Sequence, residues 1–358
     1  MDRSQMNHTA QITNCNMNSS PMKGYMVLSS PSLKISIAVL FSIFGILCIL
    51  ENCLVLYLIF SSPKIRKKPS YLLISSLALA DVLVSIIFVC SFVDFHVFNT
   101  TDSFKEIFLL KLGGVNTSFS ASLGSLLLMA FDRYVCIQRP SEYKVIVTRK
   151  RALVAMAIMW ITTMTIAFLP LMGWNCCKAC SELFPFVDNN YLTSWICLVM
   201  ILLVCIVYTY MKVLWKAHKH TVYMEKHQSQ AGRQNARMRM DVTLTKTLVM
   251  VLVVVMTCWF PVLALMAYSL FNRLNDHIKK VFAFCTILCL VNSMVNPIVY
   301  ALRSMELRSS LRNTSSRFRK KLRSSESPAE TDSTQKALPI KTTCDSIVCD
   351  TDMNLQKD

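Results

Sequence analysis

Seven long apolar segments determine what this chain can fold into. Each is about 20 residues or longer, which is the length that a helix needs to cross the core of a bilayer. Only helices and closed barrels satisfy their backbone hydrogen bonds in lipid, and runs of this length indicate helices. The sequence therefore predicts an all-α membrane protein with a bundle of seven transmembrane helices. The segments are 35–60, 71–95, 107–137, 152–172, 191–214, 247–270 and 281–302.

The charged residues orient this bundle. Apolar residues make up 53% of the sequence, charged residues only 16%, and the net charge is +17. Basic residues concentrate in alternate loops, 64–68, 144–151 and 212–246. Because positively charged loops stay in the cytoplasm, this pattern predicts an extracellular N-terminus and a cytoplasmic C-terminus at the plasma membrane. It also argues against nucleic acid as a partner.

The two ends have their own character. Residues 1–33 read as a polar extracellular tail with glycosylation sequons at Asn7 and Asn18. The membrane domain then covers 34–303. Over 304–322, Leu307, Leu311 and Phe318 recur at helical spacing among basic residues, which predicts a short amphipathic eighth helix on anionic membrane lipids. The Ser/Thr-rich segment 323–358 is predicted to be a disordered cytoplasmic tail.

Three cysteines share one loop on the predicted outer side. They are Cys176, Cys177 and Cys180. In an oxidising compartment we expect a local disulfide between Cys180 and either Cys176 or Cys177. The sequence does not decide between the two, and the remaining thiol is able to reach Cys15. A metal site is the alternative, but no histidine or carboxylate cluster accompanies these cysteines.

Polar residues interrupt the apolar segments at specific places. Asp132, Arg133 and Tyr134 follow the third segment, where charges are costly unless they are solvated or paired. A basic anchor at the membrane surface would not need the preceding acid or polar partners on other helices. We therefore interpret the triplet as a latch in which Asp132 holds Arg133. The other such positions are Asn52, Asp81, Ser122, Trp160, Tyr208, Asn292, the stretch Cys258-Trp259-Phe260-Pro261 and the stretch Asn296-Pro297-Ile298-Val299-Tyr300.

These motifs, in this order and on these segments, resemble those of the rhodopsin-like G-protein-coupled receptors over about 34–320. The resemblance implies a sodium site built from Asp81, Ser122, Asn292 and Asn296, and the alternative is a hydrogen-bonded packing network without an ion. It also implies an activation switch whose inner part turns Arg133 toward Tyr208. Pro261 would convert a small shift at Trp259 into a swing of the sixth helix. The predicted switch residues are Asp132, Arg133, Tyr134, Tyr208, Trp259, Pro261, Asn296, Pro297 and Tyr300.

The predicted outer half of the bundle is apolar and aromatic. Where amine receptors carry an aspartate, this chain has Val115, with Lys111 one turn away and no acid nearby. A lysine in the seventh segment, which an opsin requires, is missing. The pattern favours a long, weakly polar ligand. The expected ligand-binding residues are Phe88, Phe92, Phe95, His96, Lys111, Val115, Phe119, Phe184, Trp195, Trp259, Val262, Phe282 and Thr286.

Several local segments resemble the cannabinoid receptors in particular. They are 91–98, 111–115, 181–185, 214–218 and 282–285, together with the loop cysteines that lack a partner near the third helix. Two departures are Thr286, where that subfamily usually has serine, and Asn116, which replaces a threonine and could alter ligand selectivity. The resemblance implies endocannabinoid agonists (arachidonoyl glycerol and arachidonoyl ethanolamide), inhibitory G-protein coupling that lowers cyclic AMP, and arrestin and receptor kinases acting on the tail.

Other classes of function remain as alternatives. A receptor for a lysophospholipid would need basic residues beyond Lys111 at the outer rim to bind the phosphate. A transporter or channel would show broken helices in inverted repeats, and none is visible in the sequence. An enzyme is not expected, since His-Glu-x-x-His, Gly-x-Ser-x-Gly and a phosphate-binding glycine loop are all missing. No cofactor is expected beyond the possible allosteric sodium ion.

Overall fold

A computed structural model describes residues 31–96, 105–176, 181–226, 233–303 and 305–326. Within these ranges the side chains of Phe95, His96 and Tyr300, among others, are not described. The predicted sequons at Asn7 and Asn18 lie outside the described residues, as do Cys177, Cys180 and the tail from residue 327 onward.

The described part of the chain is helical and contains seven helices long and apolar enough to cross a membrane. This confirms the predicted fold class. Several helices extend beyond the predicted segments at one or both ends. The helices are α1 (Pro31–Ser61), α2 (Pro63–Arg66), α3 (Pro69–His96), α4 (Lys105–Gln138), α5 (Tyr143–Ile146), α6 (Arg149–Phe168), α7 (Asn189–Lys226), α8 (Arg233–Phe271), α9 (Asp276–Cys285), α10 (Ile287–Arg303) and α11 (Met305–Glu326).

Helix α1 shows how the bundle meets lipid. Its buried residues recur every three or four positions, so they form one stripe that faces the other helices. The opposite face is also apolar, with Ile43, Ile46 and Leu50 each more than half exposed. Such a face is stable only against lipid, because a soluble helix would present polar side chains there.

Helix α4 lies at the centre of the packing. It contacts α3, α6 and α7, while α8 packs between α7 and α10, and α10 returns to α1. Two glycines allow α4 and α6 to approach closely. A Cβ on Gly113 would lie 2.6 Å from Cε1 of Phe168, and one on Gly124 would lie 2.8 Å from Cγ of Met159. Small residues at such crossings are the usual means of close helix packing in membranes.

The seventh predicted segment divides into two helices at Thr286. Its Oγ1 donates a hydrogen bond to the carbonyl of Ala283 at 2.7 Å. The amide of Cys289 bonds to the Thr286 carbonyl at 3.1 Å, three residues back rather than four. This tighter turn separates α9 from α10. The predicted seventh span is present as Asp276–Val299, and the turn within it was not predicted because neither proline nor glycine marks it.

Contacts divide the chain into two units, Met1–Arg312 and Asn313–Asp358. The first contains the membrane helices and the beginning of α11. There Lys68, from the loop after α2, forms an ion pair with Glu306. In the second, the described residues form the remainder of α11, and most of those whose side chains are described are exposed.

Candidate functional site

A cavity opens among α3, α4, α7, α8, α9 and the loop that follows Ser181. It comprises about 1250 Å³ of empty space, including its open mouth. Every residue that the sequence analysis assigned to ligand binding, and whose side chain is described, lines it. The remaining lining residues were not predicted: Ser91, Phe108, Leu112, Asn116, Glu182, Leu183, Pro185, Met266, Lys279, Ala283 and Cys289.

Aromatic rings form the deepest part of this cavity. Trp259 is 2% exposed, and its ring meets that of Phe119 edge to face, with centroids 5.4 Å apart. The ring centroid of Phe119 in turn lies 5.6 Å from that of Phe88. Such pairs stabilise one another by roughly 0.5–1.5 kcal/mol beyond their burial. A molecule that occupies the cavity therefore rests on a packed aromatic surface that includes the predicted switch residue Trp259.

The loop over the cavity has a defined shape. The Ser181 hydroxyl oxygen accepts hydrogen bonds from the amides of Leu183 and Phe184 at 3.3 and 3.4 Å. This turn places the Phe184 ring edge to face with Phe282, with centroids 5.9 Å apart. Phe186 adopts the left-handed region at φ 62°, which is uncommon for a residue with a side chain. The loop thus contributes Phe184 to the cavity wall.

Cys176 is disulfide-bonded, and its partner lies outside the described residues. It precedes the loop and is tied to it by its amide, which donates to the carbonyl of Phe186 at 3.1 Å. Pairing of Cys176 with Cys180 stays a prediction.

Charged groups at the cavity differ from expectation. The ammonium of Lys111 lies 3.0 Å from Oδ2 of Asp94, so the expectation that no acid lies near Lys111 was wrong. Asp94 belongs to α3, a different helix, and spacing along α4 could not reveal it. Lys279 and Glu182 also line the cavity. Glu182 accepts a hydrogen bond from the Leu274 amide at 3.4 Å, which links the loop to the end of α8.

A polar cluster surrounds Asp81 in the middle of the bundle. Ser122 and Ser293 donate to its Oδ1 at 2.9 and 2.8 Å, and Asn296 donates to its Oδ2 at 2.8 Å. The Asp81 side chain is fully buried. Asn52 joins the cluster through a hydrogen bond from its Nδ2 to the Ser293 carbonyl at 3.3 Å. The sequence analysis named Ser122 and Asn296 but missed Ser293.

This cluster fits a small hard cation. All of its possible ligand atoms are oxygens, which such cations prefer. The carboxylate of Asp81 is buried, and Oδ1 of Asn292 is buried with no hydrogen-bond partner in the described part of the chain. Asn292 makes no hydrogen bond to Asp81 among these residues, whereas Ser122 and Asn296 do. Among the described residues no set of three His, Cys, Asp or Glu side chains could hold a metal by itself.

A second network surrounds Asp132 near the C-terminal end of α4. Asp132 is 2% exposed and forms an ion pair with Arg133. Its Oδ1 accepts a hydrogen bond from the Tyr143 hydroxyl at 2.7 Å, and its Oδ2 accepts one from Ser70 at 3.0 Å. Arg133 also donates to the Ser70 oxygen at 2.7 Å. Three parts of the chain, α3, α4 and α5, therefore meet at one carboxylate.

The phenol of Tyr143 is suited to act as a donor in this network. Burial, with the neighbouring charge of Asp132 adding to it, raises the pKa of Tyr143 to about 12. The phenol therefore remains protonated at neutral pH and can donate to a carboxylate throughout the physiological range.

Of the other predicted switch residues, those whose side chains are described make no hydrogen bond to Asp132. The side chain of Tyr208 is 62% exposed on the outer face of α7, where the Lys212 ammonium lies 5.5 Å from its ring centroid. Pro261 lies within α8 and Pro297 within α10, as predicted. Tyr134 stacks on Phe131 with ring centroids 6.5 Å apart.

Comparison with known proteins agrees with this geometry. The family model described as 7 transmembrane receptor (rhodopsin family) matches residues 51–300. The chain is 53% identical to cannabinoid receptor 2 of Homo sapiens over 308 residues, which cover 86% of this chain and 85% of the human protein. It is 55% identical to cannabinoid receptor 2 of Mus musculus over 290 residues, or 81% and 83% of the two chains.

Cannabinoid receptor 1 of Xenopus laevis is 50% identical over 310 residues, which cover 82% of this chain but 66% of that protein. The Cys-Cys pair at 176–177, followed by Ser-Glu-Leu-Phe-Pro, resembles type 2 more than type 1. The greater coverage of the type 2 relatives agrees with that resemblance.

Proposed function

Because this chain belongs to the rhodopsin family of seven-transmembrane receptors, and to its cannabinoid receptor branch, we propose that it binds endocannabinoid lipids and signals through inhibitory G proteins. The proposed agonists are arachidonoyl glycerol and arachidonoyl ethanolamide. Activation would lower cyclic AMP in the cell.

The observation that carries this proposal is the character of the cavity. Its wall is aromatic and aliphatic, and its deepest contact is the Trp259–Phe119 pair. A long acyl chain gains free energy in such a site because it leaves water for apolar surroundings. The charged groups Lys111, Lys279 and Glu182 are few, which suits an uncharged head group.

Signalling requires that the agonist bind one state of the receptor more tightly than another. The Asp132–Arg133 pair, held by Ser70 and Tyr143, would define the closed state. A ligand that displaces Trp259 would move α8 about Pro261, after which Arg133 would leave Asp132 and turn toward Tyr208. Trp259 lies on α8 and Arg133 near the end of α4. The coupling between them would therefore be a shift of whole helices between two arrangements of the bundle.

A sodium ion at Asp81 would favour the closed state. Asp81 and Ser122 would supply oxygen ligands, with Asn292 and Asn296 completing the site. A bound cation would neutralise the buried carboxylate, which is otherwise expensive to keep charged inside a membrane domain.

The partners follow from the same proposal. The N-terminus would be extracellular with glycans at Asn7 and Asn18, and the C-terminus would be cytoplasmic. The G protein would bind at the end of the bundle where Arg133 lies. Receptor kinases would phosphorylate serines and threonines of the tail, and arrestin would then bind it. Helix α11 would rest on anionic lipids of the inner leaflet.

A lysophospholipid is the second candidate ligand, and one observation favours it. Lys279 lines the cavity together with Lys111, so two positively charged side chains lie on its wall. Against it, Lys111 is paired with Asp94, and Glu182 adds a negative charge to the same wall.

The test is inhibition of cyclic AMP formation in cells that express the full chain. Arachidonoyl glycerol and lysophosphatidic acid are compared, with untransfected cells and pertussis toxin treatment as controls. We expect a toxin-sensitive response to arachidonoyl glycerol alone. A response only to lysophosphatidic acid would overturn the proposed ligand class, and a toxin-resistant response would overturn the proposed coupling.

A further inference from the structure

Among the described residues that line the cavity, one has a carboxamide side chain, and that residue is Asn116. It lies on α4, one turn before Phe119, and it lines the cavity. Its Nδ2 donates a hydrogen bond to the Tyr191 hydroxyl at 3.4 Å. That hydroxyl in turn donates to the carbonyl of Ala167 at 3.4 Å, so the amide lies where α4, α6 and α7 meet.

This chain of hydrogen bonds fixes which way the amide points. A phenol has one proton, and here that proton goes to a carbonyl, which can only accept. The Asn116 atom next to the phenol oxygen must therefore be the donor, Nδ2, and Oδ1 must lie on the other side. Tyr191 is 2% exposed and its ring packs edge to face against Trp174, so the phenol cannot easily turn away.

The carbonyl oxygen of this amide is available. In the part of the chain that the structure describes, Oδ1 of Asn116 accepts no hydrogen bond. It is also not fully enclosed, because it is not one of the buried polar atoms that have no partner. Asn116 is partly exposed, and the surface it exposes belongs to the cavity wall. An amide oxygen carries two lone pairs and is a good acceptor.

The other neutral polar side chains of the wall are used differently. The hydroxyl of Ser91 donates to the Ile87 carbonyl at 2.5 Å, and that of Thr286 donates to the Ala283 carbonyl at 2.7 Å. Both hydroxyls are thus bent back onto their own helices. The indole nitrogens of Trp195 and Trp259 are donors only. A fixed carbonyl acceptor therefore distinguishes Asn116 from its neighbours.

We propose that Oδ1 of Asn116 accepts a hydrogen bond from a hydroxyl group of the lipid ligand and so selects ligands whose head group carries a free donor. The inference rests on the proposed function, since it assumes that a lipid occupies this cavity. A ligand whose hydroxyls are capped would bury the amide oxygen without a donor. Losing a hydrogen bond of typical net strength in this way weakens binding by about three- to tenfold.

The experiment uses a pair of probes on the full-length receptor. One is arachidonoyl glycerol, with two free hydroxyls, and the other is its di-O-methyl ether, with none. Potency is measured as cyclic AMP inhibition, and the quantity compared is the ratio of the two potencies in each variant. The bulk of the added methyl groups is the same in every variant and cancels from that comparison.

We expect the wild-type ratio to favour the free hydroxyls, and we expect that preference to fall by about three- to tenfold in Asn116→Leu and Asn116→Val. These two variants differ in shape, so one remains informative if the other fails to fold. Thr117→Val is the matched control, because it removes a hydroxyl next to Asn116 on α4 that donates to the Gly113 carbonyl and does not line the cavity, and its ratio should equal that of the wild type.

Two results would overturn the inference alone. One is an unchanged ratio in an Asn116 variant that reaches the membrane and responds to the ether. The other is an equal loss of preference in Thr117→Val, which would show that removing a polar group outside the cavity has the same effect. If the wild type responds to neither probe, the proposed function fails and the inference with it.

Discussion

The hydroxyl of Tyr143 donates a hydrogen bond to Oδ1 of Asp132 across 2.7 Å, and this bond connects the short helix α5 to the charged pair at the end of α4. Asp132 therefore holds Arg133 while it is itself held by a neighbouring segment. An acid that is fixed in this way offers a better-defined partner for a guanidinium than one on a free side chain would, because fewer rotamers are lost when the pair forms.

Tyr143→Phe is expected to raise ligand-independent signalling. A hydrogen bond to a charged group contributes about 1.5–3 kcal/mol, and if the bond exists only in the closed state its loss shifts the balance toward the open state by about tenfold or more. The measurement is basal cyclic AMP inhibition at equal surface expression.

Tyr57→Phe, on the lipid-facing side of α1, removes the same hydroxyl from an exposed position and should leave basal signalling unchanged. Basal activity equal to wild type in Tyr143→Phe would show that the bond does not stabilise the closed state.

The sequence predicted Asp81 and Asp132 because a charge within or beside an apolar segment is costly and therefore conspicuous. It did not predict Ser293, Ser70 or Tyr143, which bind those two carboxylates. Neutral hydroxyls in a helix carry no such signal, since most of them bond to a carbonyl one turn earlier, as Thr117 does to Gly113 at 2.8 Å. Which hydroxyl meets a carboxylate depends on how the helices pack.

The same limit applies to the fold. The seven segments were evident because hydropathy and length determine a membrane span directly. The division at Thr286 was not evident, because a local change from four-residue to three-residue hydrogen bonding needs no special residue. The contact of Lys111 with Asp94 was missed for a related reason, since the two residues are on different helices.

Asp81→Asn is expected to remove the effect of sodium on agonist binding. If a sodium ion binds the closed state at Asp81, it must oppose the agonist, because linkage between the two sites is reciprocal. Agonist affinity is measured in sodium chloride and in an equal concentration of N-methylglucamine chloride, which keeps ionic strength constant. The wild type should bind agonist more weakly in sodium, and Asp81→Asn should bind it equally in both.

Ser85→Ala serves as the control for this variant. The Ser85 hydroxyl donates to the backbone carbonyl of Asp81 at 2.7 Å and not to its carboxylate, so the sodium effect should persist. A sodium effect of the same size in Asp81→Asn as in the wild type would favour the packing network without an ion.

Two adjacent glycines on α4 offer a test of helix packing. A Cβ on Gly113 would lie 2.6 Å from Phe168 and 3.3 Å from the Ala167 carbonyl, whereas one on Gly114 would lie 3.3 Å from methyl groups of Ile87. Gly113→Ala is therefore expected to destabilise the protein by about 1–3 kcal/mol, because a ring and a backbone must move. Gly114→Ala should be near neutral, since an easier adjustment is offset by better helix propensity. Thermal unfolding midpoints in detergent compare the two, and equal midpoints would contradict the close approach of α4 and α6.

Asp94→Asn is expected to make the cavity more favourable to phosphate-bearing lipids. The Asp94 carboxylate lies 3.0 Å from the Lys111 ammonium, and both side chains are partly exposed, at 44% and 29%. Removing this negative charge leaves Lys111 and Lys279 on the same wall as Glu182, with one carboxylate fewer near Lys111. Since partly exposed pairs contribute up to about 1 kcal/mol, lysophosphatidic acid affinity should rise by about threefold to fivefold, and that of uncharged arachidonoyl glycerol should change little. Competition binding with both lipids measures the difference.

Asp276→Asn makes the same charge change at an exposed position outside the cavity and should affect neither lipid. An equal change for both lipids in Asp94→Asn would mean that the carboxylate acts through the shape of the cavity and not through its charge.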